Sequence, residues 1–184
     1  MSMDRSIPDF AARTARCAGL AALGAVVLAT LPAHAQVAVD SLAGNWVGDS
    51  IEVVAGEMPG VSADALAVAL RGNASEFEAE WSAPVIDDGD IEWERISADF
   101  EAARRPGYFQ ASDEVDIFDG EPLMWAFSGA DAFDLGRLQL DEDSGRRMLV
   151  VYRLIPGDGV LSGVLTISTD DVPVARALFT MVRR

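Results

Sequence analysis

The sequence predicts an all-β protein: an antiparallel up-and-down meander of eight to ten short strands closing into a barrel over residues 36–184, behind an N-terminal signal peptide helix at residues 1–35. Three observations predict it. Most segments after residue 44 alternate apolar and polar residues, the two-residue period of a half-buried strand. Gly, Asp, Asn and Pro recur between them at spacings short enough for hairpins. The first 35 residues follow a different pattern, with charge, then an apolar run, then small residues.

In the leader, Arg5, Arg13 and Arg16 precede the uncharged run Ala18 to Leu31. That run falls short of the roughly 20 residues a membrane-spanning helix needs. Pro32 and Ala33-His34-Ala35 then supply the small residues of a cleavage site. An uncleaved anchor helix is the alternative reading. A lipoprotein is disfavoured because Cys17 precedes the apolar run instead of closing it. The expected product is periplasmic or secreted, begins near Gln36, and has no membrane span after cleavage.

Asn45 to Val54 is the first strand candidate. Val61 to Arg71 allows two readings, a helix capped by Ser62 or a strand through Leu66, Val68 and Leu70; the strand is preferred because Gly72-Asn73 then forms a turn into the next one. From Glu76 to Trp81, Phe77, Ala79 and Trp81 share one face, and Glu76, Glu78 and Glu80 the other. That is a strand with a wet outer side, and it argues against an outer-membrane barrel, whose lipid face is free of charge. Ile91 to Phe100 changes the parity of its apolar residues between Trp93 and Ile96, which suggests a bulge. Pro106-Gly107 turns into Tyr108-Phe109, and Asp113 to Pro122 reads as an acidic loop. Leu123 to Ser128, Phe133 to Leu140, Met148 to Ile155, Val160 to Ser168 and Val174 to Val182 complete the meander. Closing such a sheet removes its exposed edges; a sandwich is the alternative.

Composition limits the chemistry. Cys17 is the only cysteine and His34 the only histidine, both lie in the leader, and the chain has no lysine. The 149 residues from Gln36 onward therefore lack a Ser-His-Asp or Cys-His site, a Schiff-base lysine, and the usual nitrogen and sulfur ligands for zinc or iron–sulfur clusters. No cofactor is expected, and haem would need Tyr108, Tyr152 or a methionine as its axial ligand. Removing the leader takes the net charge from −16 to −17, which excludes nucleic acid and anionic lipid as partners. The acidic turns Asp87-Asp88-Gly89-Asp90 and Asp141 to Gly145 do not match the spacing of a calcium loop and read as solvated. No metal is expected. A carboxylate-only glycoside hydrolase stays open only because any acidic chain places some carboxylates at a catalytic distance.

Gly44-Asn45-Trp46, at the start of the first strand, resembles the Gly-x-Trp opening of lipocalins and related calycin barrels. The resemblance implies that Trp46 closes the barrel floor against an arginine of the last strand, either Arg176 or Arg183. Other lipocalin signatures and their disulfides are absent. Asp119 to Ala126 (DGEPLMWA), followed by a meander, is similar to uncharacterised exported proteins of alphaproteobacteria. Some bacterial metalloprotease inhibitors are similar small barrels too, although this chain lacks their cysteine pair.

The expected function is non-catalytic binding, with a small apolar or amphipathic ligand as the first choice. Trp81, Trp93, Trp125, Phe127 and Tyr152 would line its pocket if their faces converge, and Arg95 would be the handle for a carboxylate. Core filling is the competing reading of the aromatic residues, and an exposed ion pair that of Arg95. A protein partner is the second choice, as for a protease inhibitor or envelope factor. The strands from Met148 to Ile155 and Val174 to Val182 are apolar on both faces, which suggests an outer surface covered by a partner, for instance in a homodimer through the last strands.

Overall fold

A computed structural model describes residues 36–184 apart from 88, 89, 114, 142 and 143. Residues 1–35, with Cys17, His34 and the expected signal peptide and cleavage site, lie outside the described residues. Ten antiparallel strands follow one another around a closed barrel: β1 (Gly44–Ala55), β2 (Ala67–Gly72), β3 (Glu76–Asp87), β4 (Asp90–Ala102), β5 (Tyr108–Ala111), β6 (Leu123–Ser128), β7 (Phe133–Leu140), β8 (Arg147–Pro156), β9 (Val160–Thr169) and β10 (Val172–Arg183). β10 pairs with β1 and closes the ring, with β1 joined to β2 only over Gly44–Val47. A short helix, α1 (Val39–Leu42), precedes β1.

Alternation decides which side chains enter the barrel, because directly opposed residues of neighbouring strands share a face. Phe77 faces Phe100, Ala79 faces Ala98 and Trp81 faces Ile96 on the inside, while Glu78 and Glu80 oppose Asp99 and Ser97 on the outside. The rings meet in the middle. Phe77 stacks on Phe100 with centroids 4.9 Å apart and meets Phe109 and Phe133 edge-on at 5.1 and 5.7 Å. Tyr152 packs 5.8 Å from Phe179. Alanines at 79, 98, 126 and 177 leave room for these rings among fully buried leucines.

Two local expectations need correction. First, the segment from 61 to 71 divides. Ser62 does cap, its side chain accepting from Ala65 N–H, but the helix is a single 3-10 turn at Ala63–Ala65, and the chain is extended again from Leu66. Second, β4 is not bulged: its pairing with β3 runs without a break from Glu76↔Glu101 to Asp87↔Asp90. Trp93 faces outward, and the chain between β1 and β2 crosses over it, with Trp93 Nε1–H donating to Pro59 O at 3.0 Å. That cover is why an apolar residue sits on the outer parity. The register shifts fall instead in β1 and β10, between Gly48 and Ser50, Val53 and Ala55, and Pro173 and Ala175.

The last strands follow the sequence pattern. Met148, Val150, Tyr152 and Leu154 are buried inside, while Leu149 and Val151 are half-buried and Ile155 exposed on the outside. β10 presents Val174, Leu178 and Val182 outward, each exposed. At the β9–β10 turn, Asp170 and Asp171 take φ of 50° and 68°, the left-handed pair that matches strand twist in a two-residue hairpin.

Candidate functional site at the barrel mouth

The wall of the barrel divides the six residues singled out from the sequence. Trp81 and Tyr152 are buried inside, 1% and 0% exposed. Trp93, Arg95, Trp125 and Phe127 occupy outward positions: Trp93 and Arg95 oppose Pro84 and Ser82, and Trp125 and Phe127 oppose Gly136 and Asp134. Trp125 lies over Gly136 so closely that a Cβ there would stand 2.0 Å from its Cε2. Phe127 packs 4.5 Å from Tyr108, whose ring carries the Arg105 guanidinium 4.5 Å from its centroid. The expected convergence of aromatic faces in one chamber does not occur, because strict alternation sends neighbouring strand residues to opposite sides. Arg95 is 60% exposed and pairs with Glu80 at 3.2 Å, which is the alternative the sequence left open for it.

One end of the barrel is sealed. Residues 36–43 run along it: Val37 N–H donates to Gly129 O at 2.8 Å and Val37 O accepts from Ser128 Oγ at 2.6 Å, while Val39 and Leu42 bury their side chains in the core. Trp46 stands inside the first turn of β1, 3% exposed, and its Nε1–H donates to Leu42 O at 2.8 Å. Arg183, opposite it on β10, places its guanidinium carbon 4.8 Å from the Trp46 ring centroid, a cation–π contact. Arg176 points outward beside Ala55 and is not the partner.

The opposite end, where the β1–β2, β3–β4, β5–β6, β7–β8 and β9–β10 connections lie, is built differently. There the inward positions turn polar. Arg137 and Gln139 continue the inward series of Phe133 and Leu135 on β7, and Glu94 and Glu92 continue that of Phe100 and Ala98 on β4. Both glutamates are exposed although they face the buried Ala83 and Val85 across the strand pair, so they stand at the rim, while Arg137, Met148 and Val150 at the same end stay buried. This end is a mouth.

Two side chains reach from the far wall to β3 at this level. β2 leaves β3 at Val68↔Trp81, and beyond that point the backbone oxygens of β3 are served from inside. Tyr152 Oη donates to Ser82 O at 2.6 Å, and Arg137 Nη1 donates to Pro84 O at 3.3 Å. Burial pushes the Tyr152 hydroxyl well above the usual tyrosine range. Arg137 is 4% exposed, and its Nε has no hydrogen-bond partner, alone among buried side-chain nitrogens and oxygens of the described residues. Burial lowers the pKa of its guanidinium to about 10, with Glu94 opposing the shift. It remains a cation at neutral pH.

Arg137 is the residue that sequence reading passed over in favour of Arg95. Its signal was available: Phe133, Leu135 and Arg137 occupy alternate positions, so an arginine continues a core-facing series. Of the acidic turns, residues 88, 89, 142 and 143 lie outside the described residues, and among the described residues no group of acidic side chains converges as a metal site. No helix among them is long and apolar enough to cross a membrane.

What fold and site define is a ten-stranded meander barrel with one sealed end, one polar mouth and a buried arginine at that mouth. Comparison with protein families, characterised proteins and solved structures finds no match for the chain.

Proposed function

We propose that this chain is an exported, non-catalytic, lipocalin-like binding protein that takes a small amphipathic ligand at the mouth of its barrel. The contrast between the two ends carries the reading. Trp46, Arg183 and α1 form a floor of the kind that Gly-x-Trp barrels possess, and a closed floor leaves one way in. Buried rings fill the middle of the barrel, so the ligand is short and sits at the mouth instead of threading the lumen. The signal-peptide reading of residues 1–35 places the protein in the periplasm or outside the cell. Native mass spectrometry of protein recovered from its own envelope fraction tests this. A bound species of a few hundred daltons, lost on mild activation, is expected; uniformly ligand-free protein that also fails to bind short amphiphiles in vitro refutes it.

A second reading, a protein-binding module or homodimer, is favoured by a different observation. Ile155, Val174, Leu178 and Val182 expose 42, 45, 43 and 37% of their surface on the outer wall of the last strands, more apolar surface than a solvated sheet face usually carries. Sedimentation equilibrium separates the cases: a monomer at all concentrations, together with no cross-linked partner in intact cells, removes this reading.

A further inference from the structure

The barrel closes through a short seam. β1 is 12 residues long and β2 only 6, and the two pair over Gly44–Val47 alone. One more backbone bond crosses the seam, from Gly48 N–H to Leu66 O at 2.9 Å. From Asp49 to Ala55, β1 keeps β10 on one side. On the other side no segment among the described residues bonds its backbone. β3 lies across the same gap, but its Ser82 O and Pro84 O are satisfied by Tyr152 and Arg137 from within the barrel. The free stretch of β1 is also open to solvent on both faces. Of residues 49–55 only Ile51 is half-buried, while Val53 and Val54 are 40 and 47% exposed. An unpaired strand edge of this kind is where an extended segment can add itself through main-chain bonds.

Charge and register select the occupant. From Gly44 to Leu70 the chain carries Asp49, Glu52, Glu57 and Asp64 and no cationic side chain. None of the four joins an ion pair among the described residues, and neither does Arg176, which stands opposite Ala55 on β10. Between the two register shifts of β1, Ser50 to Val53 form a regular run. Glu52, opposite the exposed Leu178, lies on the outer face of that run; Ile51 and Val53, opposite the buried Phe179 and Ala177, lie on the inner one. A second copy of this edge would bring Glu52 against Glu52, a like-charge pairing that destabilises a sheet, in a chain whose net charge is already −16. An extended segment that alternates cations with apolar residues matches both faces at once, because its side chains follow the same two-residue period.

We propose that the open edge of β1 at Ser50–Val53 is a strand-addition site for an extended basic segment of another protein, with Lys or Arg alternating with apolar residues. Its main chain pairs with β1, its cations meet Asp49 and Glu52, and its apolar side chains lie against Ile51 and Val53. The run is short, so the association is transient. This site depends neither on a ligand at the mouth nor on the outer wall of the last strands.

The test uses the mature protein and three capped heptapeptides: alternating lysine and valine, alternating glutamate and valine, and the lysine–valine peptide N-methylated at every amide. Fluorescence anisotropy should show the first binding about tenfold or more tighter than the other two. Hydrogen exchange should slow at residues 50–53 with that peptide alone. Asp49→Lys combined with Glu52→Lys, both at exposed positions, should turn the preference to the glutamate peptide, with a thermal melt confirming the fold. Equal binding of the N-methylated peptide means charge attraction without strand pairing and overturns the proposal. So does absence of binding by all three, or protection that falls elsewhere in the barrel. Exchange at residues 50–53 that slows as protein concentration rises, with no peptide present, assigns the edge to a second copy and also overturns it.

Discussion

Replacing Tyr152 by Phe isolates one hydrogen bond at the centre of the barrel. The ring stays, with its contact to Phe179 at 5.8 Å, and only the hydroxyl that donates to Ser82 O at 2.6 Å is lost. Ser82 lies one residue past the last β2–β3 pair, so the tyrosine replaces support that β2 no longer gives. An unsatisfied buried acceptor costs about 1–3 kcal/mol. For a domain of this size each kcal/mol moves the melting temperature by about 2–4 °C, so Tyr152→Phe should melt roughly 2–12 °C lower. Urea denaturation should show a lower midpoint with an unchanged m-value. Tyr108→Phe is the control, because that ring lies on the outer wall, and it should move stability by less than about 0.5 kcal/mol. Burial also raises the Tyr152 pKa above its unfolded value, so the unfolded chain releases this proton first as pH rises. The Tyr152 contribution is complete below about pH 10 and declines above it. Ultraviolet titration should accordingly show that, of the two tyrosines, Tyr152 ionises only as the barrel unfolds. A Tyr152→Phe variant as stable as the parent, or two tyrosines titrating in the folded protein, would refute the reasoning.

Gly163→Ala should prevent folding or destabilise by several kcal/mol, because its Cβ would stand 2.1 Å from Arg153 O, a backbone atom that cannot step aside. Gly136→Ala meets a side chain instead, so the Trp125 ring should swing away at a smaller cost; tryptophan fluorescence and thermal melts distinguish the two. Arg183→Met removes the cation above Trp46 and should lower stability by about 0.5–2 kcal/mol. Trp46→Phe breaks the bond to Leu42 O and should speed hydrogen exchange in residues 36–43. Arg95→Ala loses an exposed pair with Glu80 and should change stability by less than about 1 kcal/mol in urea denaturation.

Much of the fold was legible because a strand's two-residue period writes burial directly into the sequence. The alternation of Phe77, Ala79 and Trp81 with three glutamates, and the double-apolar strands after Met148, both lie in the barrel as their patterns require. Gly44-x-Trp46 led to a floor, but the choice between Arg176 and Arg183 needed the register of β10 against β1. The bulge expected in β4 failed for a reason of the same kind. Trp93 is apolar because a remote segment at Pro59 covers the outer wall, and no local period reports cover from a distance.

The candidate site was less legible than the fold. For residues 36–184, sequence alone limited the reactive side-chain chemistry to carboxylates, hydroxyls and arginine. It also determined which residues of each strand share a face. Only the tertiary structure decided which face of each strand looks inward, and so parted Trp93, Arg95, Trp125 and Phe127 from Trp81 and Tyr152. It also showed that β2 ends early beside β3, leaving backbone oxygens for Tyr152 and Arg137 to serve from the far wall. The physical reason is that alternation is a local property of one strand, whereas an unpaired donor such as Arg137 Nε is defined by everything around it in space.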